Sequence, residues 1–310
     1  MNKELVFESE LLDEHAGQIR GNEPLARFQS LPSINRLIGG VYSGLLTVMG
    51  AQPSCGKTTL MGQMSDDLAG QGHPVIVISS ELPSFRIVEK SIVRCSGGAF
   101  SLSEVTEAAG EADGCGDFSS AKERYARECA PNTCIIDAPL TIPDLGRIVG
   151  DCIHQRGQTP VLFIDYLQLV ATAGLDATGD ERIAISNCVR MLSNLAKSYG
   201  TPVFLLSSIT RNSYNKQEVG LDVFGGSQAI EYGIDNALYL AVDGAGKAER
   251  QANMECEMRP MLLKAPRCAM AALRPLHSAS MPHTRPSATR SSPERDGARR
   301  WRPRRPLCSR

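Results

Sequence analysis

The feature that most constrains this chain is a ten-residue run that joins a predicted strand to a predicted amphipathic helix. The run is Gly50-Ala51-Gln52-Pro53-Ser54-Cys55-Gly56-Lys57-Thr58-Thr59, and the apolar side chains Leu60, Met61, Met64 and Leu68 follow it at helical spacing. It fits the pattern G-x-x-x-x-G-K-[ST] everywhere except at the first position, where Ala51 replaces glycine. Such a loop points backbone N–H groups at one spot beside a helix N-terminus and thereby forms an anion site.

This run predicts a site for ATP and Mg²⁺. Lys57 is expected to reach the β- and γ-phosphates, and the Thr58 hydroxyl is expected to ligate the metal. The alternative is an ordinary strand-turn-helix corner that contains Gly-Lys-Thr by chance.

Six short apolar runs predict an α/β fold. They lie at residues 45–49, 75–78, 134–136, 161–164, 203–206 and 237–240. None alternates with polar residues, which is typical of strands covered on both faces and indicates a mostly parallel sheet flanked by helices. Between the fourth and fifth runs, Ile185, Val189, Leu192, Leu195 and Ala196 recur at helical spacing.

Two carboxylates follow strand-like runs and are candidates for the rest of a nucleotide site. Asp165 ends the fourth run, where a carboxylate is costly without a cation, so we interpret it as support for the metal. Glu81 follows the second run and is a candidate for activating water, because ligands of parallel sheets lie at the carboxyl ends of the strands. A solvated cap for the next helix is the alternative for Glu81.

The near-zero charge hides two segments of opposite sign. The chain carries 33 Lys and Arg against 34 Asp and Glu, but residues 259–310 hold 12 Arg and one Lys against only Glu294 and Asp296. We therefore predict three regions: a linker or helix at 1–30, a nucleotide-binding domain at 31–258, and a disordered, basic Pro/Arg/Ser-rich tail at 259–310.

Compartment signals favour a cytoplasmic protein with no membrane association. The start lacks a cationic stretch followed by an apolar run, and no apolar stretch approaches the roughly 20 residues that span a bilayer. The ten cysteines are scattered with no C-x-x-C pair, so we interpret them as reduced thiols rather than a metal site.

At this point the residues resemble a known family. The phosphate loop, Ser80-Glu81-Leu82-Pro83 and Phe163-Ile164-Asp165-Tyr166-Leu167-Gln168-Leu169 resemble the C-terminal ATPase domain of DnaB-type replicative DNA helicases. The similarity covers roughly residues 30–242. It implies a RecA-like P-loop fold and an ATP-driven helicase or translocase that acts in DNA replication as a homo-hexamer on single-stranded DNA. It also implies the roles given above for Lys57, Thr58, Asp165 and Glu81.

The chain departs from that family at two places. The family has a glutamine that senses the γ-phosphate after the fifth strand, and the matching position here is Ser208, which is shorter. Full-length members carry an N-terminal helical domain that binds primase, whereas only about 30 residues precede the ATPase domain here. A primase or loader partner therefore stays undefined.

Contacts with DNA and with a neighbouring subunit are the least defined. The family's DNA loops correspond to residues 171–180, which have no basic side chain, and 211–228, which offer Arg211 and Lys216; solvated loops are the alternative. Lys264 and Arg267 lie near the expected lysine and arginine fingers, but their spacing is one residue too wide and Pro266 is expected to interrupt the strand. We expect the native reading frame to be lost near Lys264; a functional basic arm is the competing interpretation of the tail.

Two other functions stay open. One is a RecA- or KaiC-like ATPase switch, which Leu37-Ile38-Gly39-Gly40 favours and Tyr166-Leu167-Gln168 disfavours. The other is a nucleotide-binding accessory protein with impaired hydrolysis, for which Ser208 is the main support.

Overall fold

The computed structural model describes residues 23–97, 99, 101, 102, 104, 116–165, 181–209, 220–224, 233–244, 246–255, 260–268 and 299–301. The strands are β1 Leu46–Ala51, β2 Val75–Ser79, β3 Thr133–Ile136, β4 Val161–Asp165, β5 Val203–Ser208, β6 Asn236–Val242, β7 Met261–Arg267 and β8 Arg299–Trp301. The helices are α1 Pro32–Ile38, α2 Lys57–Gly70, α3 Ser84–Cys95, α4 Gly116–Glu128, α5 Ile142–Arg156, α6 Glu181–Tyr199 and α7 Lys247–Glu255, with short 3₁₀ turns at Ala130–Asn132 and Leu221–Phe224.

All strands belong to one sheet in the order β3-β2-β4-β5-β1-β6-β7-β8. The first six in this order pair in parallel, and β7 and β8 are antiparallel. The predicted α/β class is confirmed, and each of the six predicted runs is a strand. Since the parallel strands point the same way, the residues that follow β1, β2, β4 and β5 meet at one edge of the sheet.

Helices cover both faces of this sheet. One core contains Met61, Met64 and Leu68 of α2 together with Met49 and other strand residues. The second core, on the other face, contains helix residues such as Leu145 and Val189 together with Val48 and Ile164. Neighbouring residues of one strand thus enter different cores, which explains why the strand sequences are apolar without alternation.

The C-terminal edge corrects one prediction. We expected no secondary structure from residue 259 on, but β7 lies beyond that point and Leu263 is buried in the first core. Pro266 does not interrupt the strand; the pairing of β6 with β7 shifts register between Ala237 and Tyr239. Such a bulge is one of the few places where a sheet tolerates proline. The other tail residues, 269–298 and 302–310, lie outside the described residues.

The N-terminal boundary is also earlier than residue 31. Ala26 forms an antiparallel bridge with Val41, and Ala26 and Phe28 are both buried in the first core. Asn35 stabilises this entry: its side chain accepts a hydrogen bond from the Phe28 N–H at 3.0 Å and donates one to the Phe28 carbonyl at 2.7 Å. Residues 1–22, where a linker helix was predicted, lie outside the described residues.

Candidate nucleotide-binding site

The phosphate loop has the predicted context of strand, loop and helix. It leaves β1 after Ala51 and enters α2 at Lys57, with Gly56 as the N-cap residue of the helix. Gly56 has a φ of 81°, in the left-handed region, and a Cβ there would meet no atom within 4 Å, so conformation rather than space calls for glycine. Gly56 has no side chain, so no side-chain cap bonds to the first turn of α2, where an anion can bind.

Two other loop positions show how tightly its shape is set. Ser54 has a φ of 61° and is the one non-glycine residue with positive φ among the described residues. At Gly50 a Cβ would lie 2.4 Å from the Phe224 ring and 2.8 Å from the Ile209 side chain, so that position has no room for a larger residue. Ala51, the departure from the motif, is a buried strand residue of the first core, and its methyl group needs no special backbone conformation.

Thr58 and Asp165 form the pair expected for a metal. The Thr58 hydroxyl donates a hydrogen bond of 2.7 Å to Asp165 Oδ2. Asp165 is fully buried, and its Oδ1 has no hydrogen-bond partner. Burial raises the pKa of Asp165, whereas the Thr58 hydroxyl and the Lys57 ammonium lower it. A buried carboxylate oxygen without a partner beside a threonine hydroxyl fits the hard, oxygen-seeking Mg²⁺ ion.

Lys57 lies between the strand ends and the loop. Its Nζ donates to the Ser207 carbonyl at 3.4 Å, at the end of β5. Burial lowers the pKa of Lys57, while the carboxylates of Asp165 and Glu81 raise it. The ammonium therefore sits in a negative, partly dehydrated environment that an incoming phosphate group would enter.

Glu81 lies at the same edge of the sheet as Asp165 and Lys57, but its position is fixed through the backbone of neighbouring residues. It is exposed, and α3 starts three residues later at Ser84 with Pro83 as N-cap, so Glu81 is not the helix cap that we considered. Its loop is fixed through its neighbours: the Ser79 Oγ donates to the Leu82 carbonyl at 2.8 Å and accepts from the Leu82 N–H at 3.1 Å. The Ser80 N–H donates to the Asp165 carbonyl at 2.9 Å, which joins this loop to the end of β4.

Ser208 completes the group at this edge. It ends β5, is exposed, and is paired with Ala51 across the β1–β5 ladder. The position is therefore beside the phosphate loop, as the resemblance implies for a γ-phosphate sensor.

Lys264 and Arg267 lie on the bulged strand β7. Lys264 and Arg267 are three positions apart in the sequence, but their partners on β6, Tyr239 and Ala237, are only two positions apart. Residues two apart on a strand project from the same face, so the bulge absorbs the extra residue and places both cations on one face. Ala265 and Cys268 pack together against the first core, in keeping with this arrangement. By this register both cations lie on the face of the sheet opposite to α2.

The residues predicted to contact DNA, the cysteines and the membrane prediction concern other parts of the chain. Arg211 and Lys216 lie outside the described residues, as do residues 171–180. Every cysteine that the structure describes is free of a disulfide, and the described residues hold no cluster of three His, Cys, Asp or Glu side chains that could bind a metal. Within the same residues, no helix combines the length and apolarity of a membrane span.

Two residues at this edge escaped the sequence analysis. Asp137, after β3, accepts a hydrogen bond of 2.8 Å from the Ser84 N–H at the start of α3. Lys90 of α3 has a pKa lowered chiefly by burial and by Arg94, and raised by Asp165 and Glu81, so it shares the electrostatic environment of the site. The sequence assigned no role to either residue, and only the packing of β3 and α3 brings them here.

Comparison with known proteins gives a consistent result. Residues 28–258 match the model of the DnaB-like helicase C terminal domain. The replicative DNA helicase DnaB of Pasteurella multocida is 28% identical over 222 residues, which cover 68% of this chain and 45% of that protein. The DNA repair protein RadA of Chlamydia muridarum is 22% identical over 207 residues, covering 66% of this chain and 35% of its own length. The chain thus spans about half the length, or less, of the curated helicases that it matches.

Solved structures show the same fold. The ATPase domain of G40P has a TM-score of 0.71 at 17% identity, and the alignment covers 86% of this chain and 92% of that one. A DnaB-like replicative helicase, described with its interactions with primase, has a TM-score of 0.70 at 17% identity and covers 86% of this chain and 62% of its own. With the RecA-like fold and the family match over most of the sequence, this chain belongs to the DnaB-like helicase C-terminal domain family.

Proposed function

We propose that this protein is an ATP-driven DNA helicase or translocase motor acting in DNA replication. The observation that carries the proposal is the bond between Thr58 and the buried Asp165, whose second oxygen has no partner, beside the phosphate loop of a DnaB-like domain. A buried carboxylate in this state is costly for folding alone, so its presence favours a metal and nucleotide site.

The proposed mechanism starts with binding. The backbone N–H groups of residues 50–59 and the N-terminus of α2 bind the phosphates, and Lys57 exchanges the Ser207 carbonyl for phosphate oxygens. Thr58 and Asp165 would hold Mg²⁺, which when bound neutralises charge that develops on the phosphates. Glu81 accepts a proton from the attacking water at its carboxylate, and Ser208 faces the γ-phosphate from β5.

A neighbouring subunit would complete each site. Lys264 and Arg267 share the face of the sheet opposite to α2, which suits cations that act on the next subunit of a ring. We therefore propose a homo-hexamer in which these two residues stabilise the phosphates bound next door. Single-stranded DNA is the proposed substrate, with Arg211 and Lys216 as its contacts, and primase is a candidate partner because one solved relative is described with it.

The test is an ATPase assay with and without single-stranded DNA, combined with the measured size of the assembly with and without nucleotide. We expect DNA-stimulated turnover in a hexamer, loss of nucleotide binding in Lys57→Ala, and bound but unhydrolysed nucleotide in Glu81→Gln. Lys197→Ala and Glu123→Gln, which change exposed helix residues, are the matched controls and should behave as wild type.

A second candidate function is nucleotide binding without productive hydrolysis, as in an accessory protein. The observation that favours it is Ser208 at the end of β5. Members of the DnaB family have a glutamine at this position, whereas the shorter serine needs a bridging water to reach the γ-phosphate. Nucleotide binding that persists without turnover, with or without DNA, would support this second function and contradict the motor.

A further inference from the structure

Helix α3 follows the loop that carries Glu81, and it lacks a cap from its own sequence. Its N-cap residue is Pro83, no side chain of that segment caps the helix, and its first turn contains no acidic residue. The first N–H groups of a helix have no partner within the helix, so an isolated start of this kind is weakly held.

The missing cap comes from another strand. Asp137 Oδ2 accepts a hydrogen bond of 2.8 Å from the Ser84 N–H, across 53 residues of sequence. Asp137 directly follows β3, the edge strand, whose Ile136 pairs with Ile78 near the end of β2. The hydrogen bonds from the Ser84 backbone and then from its hydroxyl lower the pKa of the exposed Asp137, so the anion is the form that caps the helix at neutral pH.

The loop between β2 and α3 is thereby anchored at both ends. At its start, the Ser79 Oγ donates a hydrogen bond to the Leu82 carbonyl, and the Ser80 N–H donates one to the Asp165 carbonyl. At its end, the bond from Ser84 to Asp137 is the anchor. The Glu81 carboxylate has no hydrogen bond or ion pair with any side chain that the structure describes, so its position depends on the backbone between these anchors.

We propose that Asp137 is a positioning residue for Glu81: by capping α3 from the edge strand, it fixes the backbone that aims the Glu81 carboxylate. The inference rests on the proposed role of Glu81 in activating water. A misplacement of about 1 Å in a catalytic group can lower a rate about 100-fold, so loss of the anchor at one end of the loop is expected to lower turnover about tenfold. Nucleotide binding is expected to stay unchanged, because Asp137 bonds only to the N-terminus of α3, whereas α3 is bonded to α2 near its other end, through Arg94 and Asp66.

Two variants break the same bond from opposite sides. Asp137→Ala removes the acceptor. Ser84→Pro removes the donor at the first position of the helix, where proline is favoured, and Pro83 before it already has an extended ψ of 149° that suits a following proline. Asp137→Asn keeps an oxygen that can accept from the Ser84 N–H and serves as the conservative variant.

A second helix supplies the control for simple loss of a cap. Asp144 belongs to a capping box at the start of α5, in which the Asp144 N–H donates to Thr141 and the Asp144 carboxylate accepts from the Thr141 N–H. Asp144→Ala therefore removes a cap of comparable kind from a helix of the other face. It is expected to lower the melting temperature but to leave kcat within about twofold of wild type.

The experiment measures kcat, KM for ATP and the Kd of a fluorescent ATP analogue for these variants, alone and combined with Glu81→Gln. We expect Asp137→Ala and Ser84→Pro to lower kcat about tenfold at unchanged KM and Kd, and Asp137→Asn to stay within about threefold. In the Glu81→Gln background neither change should lower kcat further, because the residue they position is already inactive. Should Asp137→Ala fail to fold, Ser84→Pro provides the same comparison.

Either of two results overturns this inference while the proposed function stands: wild-type kcat in both bond-breaking variants while Glu81→Gln is inactive, or a further loss in the Glu81→Gln background. Wild-type turnover in Glu81→Gln would instead contradict the proposed role of Glu81 itself.

Discussion

Asp165 ends β4, Glu81 lies in the loop after the adjacent strand β2, and the two carboxylates are held in opposite ways. Asp165 is buried and its side chain is bonded to Thr58, whereas Glu81 is exposed and its side chain is bonded to nothing that the structure describes. A fixed side-chain oxygen suits the role of metal ligand that we propose for Asp165. A side chain that is free at its end, with only its backbone anchored, suits the water-activating role that we propose for Glu81.

The largest expected effect comes from Asp165→Asn. The variant should lose about 1000-fold in Mg²⁺-dependent ATP turnover, because the metal loses its buried charge. Burial raises the pKa of Asp165, which means that the folded protein disfavours the charged form. The melting temperature of the nucleotide-free variant should therefore equal or exceed that of wild type, as scanning calorimetry would measure.

Asp151→Asn, at an exposed position of α5, is the control for that comparison and should change neither property. A clearly lower melting temperature for Asp165→Asn would mean that the carboxylate is held for folding rather than for a metal.

The next effect is that of Glu81→Gln. Turnover should fall about 100-fold, the usual scale for loss of a general base, while the nucleotide Kd is unchanged. Because the side chain is exposed and without a partner, the melting temperature should move by less than about 1 °C. Parallel titration with a fluorescent ATP analogue and thermal melts would check both; a weakened Kd would place Glu81 in binding rather than in the chemical step.

Ser79→Ala tests the backbone anchoring directly. Ser79 is buried, and its Oγ makes both hydrogen bonds to Leu82. Their loss should lower stability by about 1–2 kcal/mol and kcat about tenfold, with KM unchanged. The measurements are urea unfolding and steady-state kinetics, with the exposed Ser119→Ala as control. Reduced stability at full kcat would show that Glu81 does not depend on this anchor.

The smallest effect concerns Ser208, the third group at the same edge. Ser208→Gln is expected to raise kcat about threefold, because a longer amide can reach the γ-phosphate without a bridging water. Ser208 is exposed at the end of β5, so the larger side chain should be accepted without loss of stability. Steady-state kinetics beside a Ser198→Gln control would measure it, and unchanged or lower turnover would argue against a sensor role.

The fold could be predicted in large part because its signals are local. Each of the six apolar runs became a strand, and the helical spacing of Val189, Leu192 and Ala196 became the buried face of α6. Ser101 and Glu104, which have the spacing of a capping box, each donate their N–H to the side chain of the other. Short-range patterns of this kind need no knowledge of the rest of the chain.

The C-terminal edge could not be predicted in the same way. In the sequence, Pro266 predicts the end of a strand, and Lys264 and Arg267 are one residue too far apart for the lysine and arginine fingers of the family. Both expectations assumed regular pairing. The shift of register opposite Ala237 and Tyr239 removes both conflicts, and it depends on which strand lies beside β7.

The sequence by itself determined the phosphate loop, the class of fold and the two carboxylates, because each depends on neighbouring residues in a strand, a turn or a helix. The tertiary structure decided how those carboxylates are held. Thr58 reaches Asp165 across 107 residues, and Asp137 caps α3 across 53. Such bonds join elements that are distant in the chain, so they exist only once the parallel strands have brought their ends to one edge of the sheet.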